Sequence, residues 1–313
     1  MSHPDTLRHP NIPLAYGPAT MPAVGFGTLI PDAVKAKEAV RIALETGFRH
    51  LDCAERYGNE AVVGEAIAEA IAAGVLNRGD LFVTTKLWNN NHRPERVAPA
   101  LEASLKRLRI EAADCYLVHT PFAFPAGEEQ HPRDAQGHTI YDTSVTLEET
   151  WGAMEALVDS GKARCIGLSD ITLPRLKEIV AIARIKPAVV QVEAHPYLPE
   201  WELLDYCRAE GILLLAFAPL GHGMEPRLTQ DPVIEAIARE TGKTPAQVAL
   251  GWAAQRGTAF LTTSTSAAHI AENFAISRLP AEAMRAMRDG IATQIRFNGV
   301  VDTGVPGFIP RPA

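Results

Sequence analysis

Cysteine is scarce here, and what there is looks unpaired. The four thiols, Cys53, Cys115, Cys165 and Cys207, are scattered without a C-x-x-C spacing. That suits reduced thiols in a cytosol better than a disulfide framework. No apolar run nears the ~18 residues of a membrane helix, and the polar, proline-bearing residues 1–13 lack a signal-peptide core. A cytoplasmic protein with no membrane partner is expected. There is no basic run, and the net charge is −7 over 313 residues, which argues against nucleic acid as a partner. No G-x-G-x-x-G opens a helix after a strand, so a Rossmann site is not indicated. Linkers, low-complexity tracts and internal repeats are missing too, so residues 1–313 read as one domain. Its oligomeric state is left open.

What the chain does contain is an alternation. Short, mostly apolar segments bounded by polar or turn residues fall at 24–28, 50–54, 81–86, 115–120, 164–169, 189–194, 213–218 and 259–263. Parallel strands covered on both faces look like this. Helical patterns lie between them. Val97, Leu101, Leu105 and Leu108 recur at helical steps behind Pro94, and Leu147, Trp151, Met154 and Val158 do so ahead of Gly161. Val63, Ile67, Ala70 and Ile71 mark another helix. Eight strands alternating with helices predict an α/β fold, a (β/α)8 TIM barrel. Segments 245–255 and 280–290 read as two extra helices. Residues 1–22 read as a lid-like start with a hairpin around Tyr16-Gly17-Pro18. Residues 121–143 and 296–313 read as long loops at the carboxyl face of the barrel, where active sites lie.

One stretch organises the rest: GFRHLDCAERYGNE, residues 47–60. It reads as a short strand that delivers a carboxylate, Asp52, and a phenol just beyond it, Tyr57. A second strand ends in Lys86 and a third around His119. With VTTKLW (83–88), YLVHTP (116–121), GKARCIGLSD (161–170), VVQVEAHPYL (189–198), FAPLG (217–221), TPAQVALGW (244–252) and IAEN (270–273), the chain resembles the aldo-keto reductases over nearly its whole length. The resemblance implies the barrel fold, with both long loops folded over its mouth and helping to choose the substrate.

Reducing a carbonyl needs a hydride on carbon and a proton on oxygen. No side chain supplies hydride, so a nicotinamide is required. A phenol is a reluctant acid at neutral pH, and a nearby cation lowers its pKa. Lys86 can be that cation, and Asp52 can hold Lys86 in place. Tyr57 is thereby assigned as general acid, Lys86 as its tuner, Asp52 as the orienter, and His119 as a hydrogen-bond donor to the substrate oxygen. The four match the family's tetrad residue by residue.

The resemblance also implies a cofactor site. Ser169, Asp170 and Gln191 would surround the nicotinamide amide, Phe217 would stack on the ring, and Leu220 and Gly221 would wrap the pyrophosphate. Ser264 matches a family position, and Glu272 and Asn273 match residues that hold the adenine. Three positions depart. Asp170 stands where Asn is usual, and an ionised Asp only accepts hydrogen bonds; it also reads as a cap for a helix at 172–183. Thr263 and His269 stand where a Lys and an Arg commonly clamp the 2′-phosphate. NADP(H) is the family default, and the two missing cations predict a relaxed choice in which NAD(H) is also used.

The substrate pocket departs as well. Leu29 and Thr120 occupy positions where many members carry Trp, while Trp88 is kept and Phe122 and Phe124 lie close by. A wider or less aromatic pocket for aldehydes or ketones (or the matching alcohols) is expected, with the particular small molecule unidentified. Two other readings stand beside this one. One is a cofactor-binding regulatory subunit without turnover. The other is a metal-dependent hydrolase using His50-x-Asp52 and Glu193-x-His195, since divalent metals favour such groups; the reductase reading itself calls for no metal.

Overall fold

Strands apolar on both sides must be covered on both faces, and here the chain closes them into a ring. A computed structural model describes residue 7 and residues 10–298. After an amino-terminal hairpin of β1 (Asn11–Pro13) and β2 (Thr20–Pro22), the barrel strands follow in chain order: β3 (Val24–Gly27), β4 (His50–Asp52), β5 (Phe82–Leu87), β6 (Ala113–Val118), β7 (Ala163–Ser169), β8 (Val189–Glu193), β9 (Leu213–Phe217) and β10 (Ala259–Thr262). Each pairs in parallel with the next, and β10 closes on β3. Every expected strand segment overlaps one of these strands, with β6 beginning two residues earlier than expected.

The helices are α1 (Ala33–Thr46), α2 (Glu60–Ala72), α3 (Pro94–Leu108), α4 (Leu147–Asp159), α5 (Leu173–Ile182), α6 (Trp201–Glu210), α7 (Pro232–Thr241), α8 (Pro245–Gln255), α9 (Ala267–Phe274) and α10 (Ala281–Asp289). The stripe read from the sequence on α3 is its inward face: Val97, Leu101, Leu105 and Leu108 are all buried. Gly47 ends α1 at φ 119°, a left-handed conformation that glycine adopts without strain, and so launches the chain into β4.

Among the described residues two helices do exceed the eightfold plan, but one is not the expected one. The segment 245–255, α8, packs on β10 and α9 and so fills a place in the ring. It is buried through six consecutive residues, Val248 to Ala253, because α7 covers its outer side. The surplus pair is therefore α7 and α10, which lie against each other. The start of the chain also departs from expectation. The β1–β2 hairpin is no lid over the site. Met21 on β2 is fully buried against Phe82, Cys115, Cys165 and Leu213, which lie at or near the amino ends of their strands. The hairpin plugs the end of the barrel opposite the site.

Period-two alternation decides what the barrel holds. Inward positions run Phe82-Thr84-Lys86 on β5, His50-Asp52 on β4, Val189-Gln191-Glu193 on β8 and Cys165-Gly167-Ser169 on β7, while Leu51, Val83, Ile166 and Val190 face the helices. The interior is apolar at the amino end and becomes polar and charged toward the carboxyl end. All four thiols are free and buried. Among the described residues no helix is long and apolar enough to cross a membrane.

Candidate active site

The polar end of the barrel gathers the four residues expected to act together. Lys86 is fully buried, so it is no solvated surface lysine. Its Nζ donates to Asp52 Oδ2 at 2.5 Å, to the carbonyl of Cys53 at 2.9 Å and to the Tyr57 hydroxyl at 3.0 Å. Burial works against the ammonium, but Asp52 and Tyr57 outweigh it and hold the Lys86 pKa above its ordinary value. Tyr57 sits on a single helical turn, Glu55–Tyr57, which Gly58 ends at φ 68°. His119 lies one residue past β6, its N–H bound to Leu87 O at 3.1 Å. Its ring meets those of Tyr57 and Trp88 edge-on, at 5.7 and 5.0 Å. Burial, with Lys86 and Arg56 nearby, pushes the imidazole pKa well below its usual value, so His119 is neutral and can donate from one ring nitrogen.

One expectation is reversed. The sequence predicts that Lys86 brings the Tyr57 phenol below its reference pKa. Desolvation is the larger effect and pushes it up to about 12; Lys86 offsets only part of that. The phenol therefore stays protonated at neutral pH.

The expected cofactor residues line the next three strands. Ser169 and Gln191 are register partners on β7 and β8, and Asp170 donates its N–H to Gln191 O at 2.9 Å. The Gln191 side chain is turned to Asp52, donating to Oδ1 at 2.7 Å. Asp170 does not cap α5. Its φ is 51°, Thr172 holds the cap position, and the carboxylate faces Asn298 Nδ2 at 3.4 and 3.5 Å. Phe217 ends β9 beside Glu193 on β8. Leu220 and Gly221 form the turn that follows, and the Phe297 ring lies so close that a Cβ on Gly221 would stand 2.8 Å from it.

Thr263, Ser264, His269, Glu272 and Asn273 gather around α9. Thr263 donates to Gly27 O at 3.0 Å, Ser264 Oγ accepts from Ser266 N at 3.1 Å, and His269 is exposed in the first turn of the helix. Residues 262–274 contain no lysine or arginine. A helix amino end with hydroxyls and an imidazole still suits a phosphate, and a buried carboxyl with one stretched partner at Asp170 suits an N–H donor. These residues fit a nicotinamide dinucleotide.

Of the substrate residues, Trp88 is buried and donates Nε1–H to Gln130 O at 2.8 Å, so the loop 121–143 is tied to the exit of β5. Asn90 Nδ2 reinforces that tie at Gly127 O, 2.8 Å away. Phe122 packs against Phe124 and Tyr141, Thr120 turns its hydroxyl to Asn89 Oδ1 at 2.7 Å, and Leu29 is 54% exposed.

The sequence did not point to the clamp on the segment after α10. The Glu193 carboxylate accepts from Phe297 N and Asn298 N, each at 2.7 Å, and from His195 at 2.9 Å. Arg296 binds Glu200 at 2.7 Å. Burial would raise the Glu193 pKa, but His195 and the two backbone donors outweigh it, and the net shift is downward. No sequence signal links positions 105 apart. The rest of the expected loop, 299–313, lies outside the described residues. As for the pairs weighed for a hydrolase, His50 bonds Thr84 at 3.0 Å and Glu193 is occupied as above. Among the described residues no cluster of three or more His, Cys, Asp or Glu side chains is placed to hold a metal ion.

The chain is similar to known proteins in sequence and in fold. The sequence model of the Aldo/keto reductase family matches residues 23–291. Aldo-keto reductase family 1 member A1 of Rattus norvegicus is 41% identical over 264 residues, covering 82% of this chain and 81% of the rat protein. Aldo-keto reductase family 1 member C1 of Macaca fuscata fuscata is 43% identical over 292 residues, covering 88% and 90%. Among solved structures, the aldose reductase of Schistosoma japonicum superposes with a TM-score of 0.86 at 38% identity, covering 91% of this chain and 93% of its own.

Proposed function

Since the chain belongs to the aldo/keto reductase family, we propose that it reduces aldehydes or ketones to alcohols with NADPH or NADH, and runs in reverse when alcohol and oxidised cofactor are supplied. The observation that carries the reading is the buried relay from Asp52 through Lys86 to the Tyr57 hydroxyl, with links of 2.5 and 3.0 Å. When bound, the dihydronicotinamide supplies the hydride. Everything else falls to this chain's own side chains. Tyr57 gives its proton to the carbonyl oxygen as negative charge develops there. A phenol near 12 is a weak acid, but the alkoxide it protonates is a far stronger base, so the transfer runs downhill. Lys86 stabilises the phenolate left behind, and Asp52 keeps Lys86 charged and aimed. Neutral His119 donates to the same oxygen and fixes the carbonyl's orientation.

Cofactor choice follows from α9. No cation stands at Thr263 or His269's usual counterparts, so NADPH keeps only a modest advantage over NADH. The setting is cytosolic, in keeping with four free thiols.

The test is titration with NADPH and NADH separately, then turnover on a panel of aldehydes and ketones. Replacing Tyr57→Phe should leave cofactor affinity intact and lower kcat by about a hundredfold or more. Wild-type rates in that variant would remove Tyr57 from its role. Tight cofactor binding with no turnover on any carbonyl would favour a regulatory subunit.

A further inference from the structure

Asp170 is 8% exposed, follows Ser169 at the end of β7 and donates its N–H to Gln191 O on β8. An ionised carboxylate has room for several donors, and charge-assisted hydrogen bonds normally close to about 2.7–2.9 Å. Yet among the described residues the hydrogen bonds to this carboxylate come from Asn298 Nδ2 alone, at 3.4 and 3.5 Å. Both contacts are too long to satisfy a buried charge. Asn298, for its part, does not depend on Asp170 for its place. Its main-chain N–H is gripped by Glu193 at 2.7 Å, Phe297 N by the other oxygen, and Glu193 by His195.

We infer that Asp170 and Asn298 divide between them the recognition of the nicotinamide carboxamide: Asp170 accepts from its nitrogen, and Asn298 Nδ2 donates to its oxygen. This rests on the nicotinamide reading above. A carboxamide offers one acceptor oxygen and a donor NH2. One asparagine can answer both, whereas an ionised aspartate answers only the second. An amide donor that can replace the one Asp170 lacks faces it from Asn298, on a segment that the sequence places 128 residues away. The carboxamide would thus enter between two groups that now face each other across a stretched contact. Burial raises the Asp170 pKa to about 7, as expected of a carboxylate short of donors.

The experiment measures binding rather than turnover. Dissociation constants for NADP+, and for its 3-acetylpyridine analogue, which keeps the oxygen and lacks the NH2, are read from intrinsic fluorescence at about pH 8, where Asp170 is ionised. NAD+ and its analogue replace them if the wild type binds these more tightly. The expected results are as follows. Wild type binds the acetyl analogue about tenfold more weakly than the parent, and Asn298→Ala weakens the parent about tenfold. In an Asp170→Asn background the same Asn298→Ala change costs less than about threefold, because the introduced side-chain amide then supplies both contacts. Two results would overturn the inference: Asn298→Ala binding like wild type, or an equal loss in both backgrounds. A wild type that binds neither dinucleotide would defeat the family-based function as well. Wild-type binding that is indifferent to Asn298 would defeat the inference alone.

Discussion

Gln191 Nε2 donates to Asp52 Oδ1 at 2.7 Å, so both oxygens of that carboxylate are taken, the second by Lys86 at 2.5 Å. The strand expected to hold the cofactor amide is thereby joined by hydrogen bonds to Asp52, Lys86 and Tyr57. A buried ion pair gains little over an apolar pair, but removing one partner strands the other charge in a dry place. Asp52→Ala should therefore cost about 3–5 kcal/mol of stability, read by urea unfolding, and should lower kcat more than cofactor affinity. Gln191→Leu leaves the pair intact and should cost about 1–3 kcal/mol. Equal, small losses in both variants would mean that the Lys86 charge is compensated elsewhere.

Thr263 is exposed and its hydroxyl is held by Gly27 O at 3.0 Å, while no lysine or arginine occurs across 262–274. In the wild type the NADPH:NADH ratio of kcat/KM should fall below about a thousand, or about 4 kcal/mol. A lysine at this exposed place could reach a 2′-phosphate. Thr263→Lys should raise the ratio by about tenfold to a hundredfold, since a charge-assisted contact is worth about 1.5–3 kcal/mol. The change should vanish at high salt. A ratio that is already beyond a thousandfold, or that does not move, would show that the 2′-phosphate is read elsewhere.

The fold was readable because one rule repeats. Buried strands read as apolar runs, and alternation along β5 puts Lys86 on the same side as Phe82 and Thr84. A lysine on the inward row of a buried strand already implies a paired charge. Asp52 on the next strand was equally legible. The hairpin was not, because nothing local says which end of the barrel Met21 enters. The ring helix α8 reads as surplus from sequence because nothing there shows that α7 lies outside it. The Tyr57 pKa escapes the sequence for a different reason. A neighbouring cation can be read from the sequence, while the depth of burial that outweighs it cannot. The Glu193 clamp and Asn298 depend on tertiary proximity alone.

Gly167 stands on the inward row of β7, two residues before Ser169. A Cβ there would come within 2.1 Å of Val189 O and 2.7 Å of Leu117 Cδ2. The carbonyl belongs to the neighbouring strand and cannot step aside without parting β7 from β8. Gly167→Ala should cost at least about 1–3 kcal/mol as an overpacked core site, read as a lowered Tm. It should also weaken cofactor affinity, because Ser169, Asp170 and Gln191 ride on those two strands. A Tm matching the wild type would mean that the strands are freer to separate than this packing indicates.

Asp170 links stability to pH. Burial, the leading cause, raises its carboxyl to about 7, against an ordinary 3.8, with Arg296 working the other way. Between those values the folded protein keeps a proton that the unfolded chain has lost. Stability therefore falls as pH rises from about 4 to 7 and is level above that. The full span is at most roughly 4 kcal/mol, at about 1.4 per pKa unit. Asp170→Asn removes the titration and keeps a residue that tolerates φ 51°. Other titrating groups are common to both proteins, so their difference isolates this one. In the cofactor-free proteins, urea unfolding from about pH 4 to 8 should show the variant gaining on the wild type steadily up to neutrality, with no further gain beyond it. A constant gap across that range would mean that Asp170 ionises at its ordinary pKa and that burial does not govern its charge in the folded protein.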